Sequence, residues 1–146
     1  MPKRIYKIQG ISLGTASSNT RYGRKEDSLL VTLPQESILS GKFTSNKLKA
    51  APVKLAIDNL SNSKKAKKVL LINAGNANAA TGPKGLKDVR KYCKEIALDF
   101  KISQENVIPF STGVIGEPLA TENYLSAFRE ASKGLSENKW KKAAEA

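Results

Sequence analysis

The sequence predicts an α/β or α+β fold, and three observations carry that prediction. Val69-Leu70-Leu71-Ile72-Asn73 is a continuous apolar run, the pattern of a strand covered on both faces. Residues 84–101 place Leu86, Val89, Cys93, Ile96, Ala97 and Phe100 on one stripe at helical spacing. Shorter apolar runs flank both, punctuated by glycine, proline and asparagine. With 146 residues, 40% hydrophobic and 26% charged, the chain fits one domain over 1–146, or one piece of a larger one.

Apolar alternation in Ile5-Tyr6-Lys7-Ile8-Gln9-Gly10-Ile11 predicts an opening strand. Residues 15–25 are polar and glycine-punctuated, hence a loop or hairpin turn. Ser28-Leu29-Leu30-Val31-Thr32-Leu33 predicts a buried strand, ended by Pro34. Residues 38–44 predict a third strand, with Gly41 as a bulge. Pro52 suits the first turn of a helix whose Val53, Ile57 and Leu60 share a face. After the charged connection 61–68 come the run at 69–73, predicted as an interior strand, and the helix at 84–101 packed over it. Val107-Ile108-Pro109-Phe110 predicts a short strand. A helix over 122–134 turns Tyr124, Leu125, Phe128 and Ala131 inward, and Ser136 can cap a last helix carrying Trp140.

Composition excludes several functions. No apolar run approaches the ~18 residues that cross a bilayer. The Met1-Pro2-Lys3-Arg4-Ile5 start lacks the apolar stretch of a secretory signal, so a cytoplasmic location is expected. Cys93 stands alone, which excludes a disulfide framework, and its place on the apolar stripe fits a small core residue. Histidine is absent, which removes Ser-His-Asp and Cys-His triads from this chain, and no metal site is expected.

The net charge of +12 asks for an acidic partner, nucleic acid or a solvated face. Between residues 64 and 94 lie Lys64, Lys65, Lys67, Lys68, Lys84, Lys87, Arg90, Lys91 and Lys94, against Asp88 alone. Lysine far outnumbers arginine and aromatics are not interleaved, so stacking and bidentate base readout lack material. The composition therefore favours a solvated face over a nucleic-acid interface.

Two loops remain as carriers of chemistry. Asn73-Ala74-Gly75-Asn76-Ala77-Asn78-Ala79-Ala80-Thr81-Gly82 joins a buried strand to a helix, where ligands of α/β proteins often bind. It matches neither the P-loop nor G-x-G-x-x-G, and its asparagines and glycines equally suit left-handed turns and close backbone packing. Ser111-Thr112-Gly113-Val114-Ile115-Gly116 follows another apolar run. A Thr-Gly pair offers a hydroxyl and an unhindered N–H, the donors an oxyanion hole needs; the same hexamer also fits an ordinary strand-to-turn connection.

Taken in order, these loops resemble the bifunctional ornithine acetyltransferase (glutamate N-acetyltransferase) family. The resemblance rests on Phe43-Thr44-Ser45-Asn46 with Ala50-Ala51-Pro52-Val53, on Asn73-Ala74-Gly75-Asn76-Ala77-Asn78-Ala79 with Thr81-Gly82, and on residues 111–116. Arg24-Lys25-Glu26-Asp27-Ser28-Leu29-Leu30 resembles the start of an early strand of that family. Ala143-Ala144-Glu145-Ala146 resembles the segment before its substrate-binding threonines. Ala74 and Ala80 stand where the family often has serine and cysteine.

The resemblance implies a self-processing precursor whose mixed sheets, flanked by helices in an α+β sandwich, are incomplete without a downstream chain. The precursor cuts itself before an internal threonine, which becomes the nucleophile with its own α-amino group as base. Acetyl would pass from N2-acetylornithine to that threonine and then to glutamate, in arginine biosynthesis. Carried over residue by residue, Thr112 and Gly113 match the family's oxyanion hole. The nucleophile and the substrate contacts are expected downstream of Ala146, so the 146-residue chain is expected to be inactive alone. The implied partners are the downstream β chain and the two small-molecule substrates. No cofactor is implied, and acetyl-CoA would enter only as a substrate. Two rival readings are a related N-terminal-nucleophile aminopeptidase and a basic nucleic-acid-binding module.

Overall fold

The computed structural model describes residues 5–63 and 65–146. The Met1-Pro2-Lys3-Arg4 start and Lys64 of the basic stripe lie outside them. A four-stranded mixed sheet runs in the order β1 (Ser12–Ala16), β2 (Ser28–Leu33), β3 (Lys68–Asn73), β4 (Val107–Ser111). The β1–β2 and β2–β3 pairs are antiparallel, whereas β3 and β4 are parallel. Helices α1 (Ala51–Asn62), α2 (Gly82–Phe100) and α3 (Thr121–Lys133) cover one face, and a short α4 (Trp140–Glu145) leans on β1. Among the described residues no helix is long and apolar enough to cross a membrane.

The unbroken apolar run places β3 inside the sheet, between β2 and β4. Its Val69 and Leu71 point to the helices and are fully buried beside Val89, Cys93 and Ile96 of α2. Tyr92 joins that core and stacks at a tilt on Phe128 of α3, ring centroids 5.5 Å apart. Close approach of α3 to β1 requires Gly14, where a Cβ would run into the Ala131 main chain.

The other face departs from expectation. Alternate residues Leu70 and Ile72 are only half-buried, and Phe110 beside Ile72 is 45% exposed. The apolar run calls for cover on both faces, and this chain supplies only part of the second. Trp140 and Ala143 of α4 shield the end near Leu13 and Val31.

Two expected strands do not form. Residues 5–11 precede the sheet: Gly10 turns the chain at φ +81°, and Ile5, Tyr6 and Ile8 are exposed. The ladder starts at Ser12, opposite Thr32, so Thr15 and Ala16 belong to β1 and not to the following loop. Residues 38–44 alternate in pattern but pair with nothing in the sheet, and Ile38 is 86% exposed. The interior strands β2 and β3 already have both edges taken.

Two local details also change. Helix α1 buries Pro52, Leu55, Ala56 and Asn59, leaving Val53, Ile57 and Leu60 at the margin. The Asn59 amide turns that face inward by donating to the carbonyls of Val107 (2.7 Å) and Gln104 (3.2 Å). Ser136 caps no helix; its main chain exchanges two 3.0 Å hydrogen bonds with Leu13, extending the sheet edge by one bridge.

Candidate active site at the ends of two parallel strands

Because β3 and β4 run parallel, their C-terminal ends lie side by side, with Asn73 opposite Ser111 as the last pair. Both polar loops singled out in the sequence start there, and they continue together beyond the sheet. Thr112 N–H donates to the Asn73 carbonyl (3.0 Å) and Val114 N–H to that of Gly75 (3.2 Å). Ala77 N–H returns a bond to the Val114 carbonyl (2.9 Å), and Gly116 N–H reaches that of Ala79 (2.8 Å). The second loop is thus a strand-like extension, held along one edge by the first.

Within this extension Thr112 and Gly113 are exposed. Among the described residues neither the Thr112 hydroxyl nor the Gly113 N–H has a hydrogen-bond partner, so both donors are open to an incoming acceptor. Position 113 demands glycine twice over. Its φ is +129°, and a Cβ would stand 2.6 Å from the Asn76 nitrogen.

The first loop takes the left-handed turns that one reading of its sequence calls for. Gly75, Asn78, Ala80 and Gly82 all have positive φ. The asparagines are turned inward and bonded to protein groups. Asn76 donates to the carbonyls of Glu117 and Pro118 (both 3.2 Å) and accepts from Asn78 N–H (2.7 Å). Asn78 donates to the Gly85 carbonyl (3.0 Å) and accepts from the Thr81 hydroxyl (2.7 Å). These bonds make the loop's asparagines a brace. It shapes its neighbour, while the outward donors belong to residues 112 and 113.

A polar chain buttresses the loop from the 17–27 side. Asp27 is buried and accepts from Ser18 N–H (2.8 Å), the Ser18 hydroxyl (2.5 Å) and the Ser28 hydroxyl (3.0 Å). Its carbonyl receives Ala74 N–H at 2.8 Å, and the Tyr124 hydroxyl donates to the Ala74 carbonyl at 3.0 Å. Ser18 carries no signal in the sequence, and Asp27 enters there only as part of the 24–30 stretch, where nothing sets it apart from Glu26. An open groove of about 320 Å³, lined by Phe43, Thr44, Pro52, Val53, Phe110 and Ser111, lies beside the strand end. It brings the Phe43-Thr44 stretch to the same neighbourhood.

Other candidates fall away. Cys93 is fully buried, and burial pushes its thiol well above the ordinary value, leaving it inert. The basic stripe is divided. Lys68 is buried, its ammonium 3.0 Å from the Asn106 side-chain oxygen, and burial pulls its pKa down. Lys84 pairs with Asp88 (2.6 Å), Arg90 with Asp58 (3.7 Å) and Lys91 with Glu122. Among the described residues no His, Cys, Asp and Glu side chains cluster in a way that could hold a metal ion.

A protein-family model described as the ArgJ family matches residues 12–146. The arginine biosynthesis bifunctional protein ArgJ of Methylococcus capsulatus is 41% identical over 143 residues, covering 98% of this chain and 34% of that protein. The chain therefore spans about a third of such relatives. Among solved structures, ornithine acetyltransferase from Mycobacterium tuberculosis, complexed with ornithine, superposes with a TM-score of 0.87 at 25% identity, covering 94% of this chain and 75% of that one. The ArgJ protein of Bacillus halodurans gives a TM-score of 0.75 at 28% identity, covering 84% and 63%.

Proposed function

The chain belongs to the ArgJ family, and from that premise we propose that it supplies the oxyanion hole of a glutamate N-acetyltransferase in arginine biosynthesis. Its relatives are named as bifunctional enzymes of that biosynthesis, and the proposed reaction moves acetyl from N2-acetylornithine to glutamate. The observation that carries the reading is the pair of unpartnered donors, Thr112 hydroxyl and Gly113 N–H, adjacent on a braced strand end.

In acyl transfer a nucleophile adds to the acetyl carbonyl, and the carbonyl oxygen becomes an alkoxide. Donors fixed in advance stabilise that charge without reorganising during the reaction. Thr112 and Gly113 would donate to it in both half-reactions: attack on acetylornithine, and attack of the glutamate amine on the acyl-enzyme. The nucleophilic threonine and its α-amino base would come from the remaining polypeptide, as would the substrate contacts. Acetyl-CoA would act, where used, as an alternative acetyl donor, and the working enzyme would be cytoplasmic.

That remaining polypeptide is also the proposed partner of the open sheet face. Leu29, Ile72 and Phe110 form an apolar row across three strands there, only partly covered. The Trp140 indole N–H on the same side is buried without an acceptor among the described residues.

The test is Thr112→Ala in the complete enzyme. Removing one such donor typically lowers kcat by roughly 10²–10³. KM should change far less, because the charge exists only in the transition state. Thr112→Ser should keep much of the rate. Unchanged kcat in Thr112→Ala would overturn the assignment.

A further inference from the structure

Which N–H is left open on the 111–116 loop is a matter of register. Along an extended chain, successive N–H groups point to opposite edges. Thr112 and Val114 direct theirs at the first loop, and the Gly113 N–H between them has no acceptor among the described residues. A slip of one residue would exchange the free N–H for an occupied one. Something must therefore hold the register where the regular ladder ends.

We infer that Asn73 is the positioning residue of the Thr112–Gly113 donor pair, locking this register through Ser111, Thr112 and Asn76. The inference rests on the oxyanion reading above. Asn73 is completely buried at the end of β3. Its side-chain oxygen accepts from the Ser111 hydroxyl at 2.6 Å, and its side-chain nitrogen donates to the Asn76 carbonyl at 2.8 Å. Its main-chain carbonyl accepts the Thr112 N–H at 3.0 Å. One residue thus ties together the end of β4, the residue before Gly113, and the segment whose nitrogen lies against Gly113.

The chemistry requires a neutral amide, since the site needs a donor and an acceptor on one short side chain. Aspartate would keep the acceptor for Ser111 but lose the donor to Asn76 and bury a charge; leucine would lose both. Below the pair lies the Tyr92 phenol, which burial holds well above its ordinary acidity range, with Ser111 the polar group that partly counters this. The Tyr92 hydroxyl is buried without a hydrogen-bond partner among the described residues, and the Ser111 hydroxyl donates to Asn73.

The experiment is a kinetic cycle in the complete enzyme with Asn73→Ala, Ser111→Ala, Ser111→Thr and Thr112→Ala. Asn73→Ala and Ser111→Ala should each lower kcat by roughly 10–10²-fold, the usual cost of a small misplacement, with little change in KM for acetylornithine. Ser111→Thr should restore most of the rate, because the hydroxyl returns. In the Thr112→Ala background the added loss from Asn73→Ala should shrink clearly below its value alone, the signature of residues acting as a unit. Should Asn73→Ala fail to fold, the two Ser111 variants carry the test alone. Full kcat in Ser111→Ala alongside a crippled Thr112→Ala would overturn the positioning role and leave the oxyanion reading intact. So would losses that simply multiply. Unchanged kcat in Thr112→Ala would remove the oxyanion reading itself, and the positioning role with it.

Discussion

The two faces of the sheet are built from equally apolar residues and end in opposite states. On the helical face, Leu30 and Leu71 form one cross-strand row and Val69 and Val107 another, and all four are fully buried under α1, α2 and α3. On the opposite face, Leu29, Leu70 and Ile72 are half-buried and Phe110 is 45% exposed, with α4 covering one end. Both sets come from the same three strands and alternate residue by residue. The difference teaches that apolar alternation alone does not close a face: one is sealed by three helices, the other only in part by α4.

Substitutions that separate the faces test this directly, and the largest effect belongs to the closed one. Leu71→Ala should destabilise the chain by about 3 kcal/mol, within the range for a large-to-small change in a packed core, measured as a fall in the urea midpoint. Gly14→Ala should follow at roughly 1–3 kcal/mol, because the new methyl meets the Ala131 main chain and α3 must shift. Ile72→Ala, one residue from Leu71, should cost clearly less than Leu71→Ala in the 146-residue chain, since its side chain is only half-buried. In the complete protein the same change should approach the Leu71 value. Equal losses for Leu71→Ala and Ile72→Ala in the short chain would show the second face to be closed already.

The smallest effect sharpens the role of α4, which covers part of the open face. Lys142 of α4 meets Glu26 at 2.7 Å, and the Thr15 hydroxyl donates to the same carboxylate at 2.7 Å. Burial alone would raise the Glu26 pKa, but the Lys142 and Thr15 hydrogen bonds outweigh it and hold it below its ordinary value of 4.5. A carboxylate with a depressed folded-state pKa stabilises above its unfolded value, and that contribution fades as pH falls through the folded one. Stability should therefore drop by less than about 1 kcal/mol from this group on acidification below pH 4.5, and Glu26→Gln should remove that component. Stability curves of parent and variant that stay parallel through that range would show that the pair does not hold α4.

Legibility followed the range of the interactions concerned. The run at 69–73 and the stripe at 84–101 mark β3 and α2 within two residues, because period and length are local properties. Residues 5–11 and 38–44 carry the same alternation but find no partner in the sheet, and nothing in their own pattern says so. At the site, the sequence places Thr112 and Gly113 just after an apolar run, and the structure puts them at the end of β4. Asn73, in contrast, looked like one of three loop asparagines. Its contact with Ser111 joins residues 38 apart, so it is visible only once β3 and β4 lie side by side.

The sequence by itself determined where strands and helices can form, that Cys93 is core, and where a Thr-Gly pair follows an apolar run. These follow from side-chain period, size and the freedom of glycine. Tertiary structure alone decided which apolar segments join the sheet, which face stays open, and which N–H of the 111–116 loop remains free. Those outcomes depend on pairing between distant residues: each strand edge accepts one neighbour, and the Gly113 N–H stays free between Thr112 and Val114, whose own N–H groups are bonded to Asn73 and Gly75.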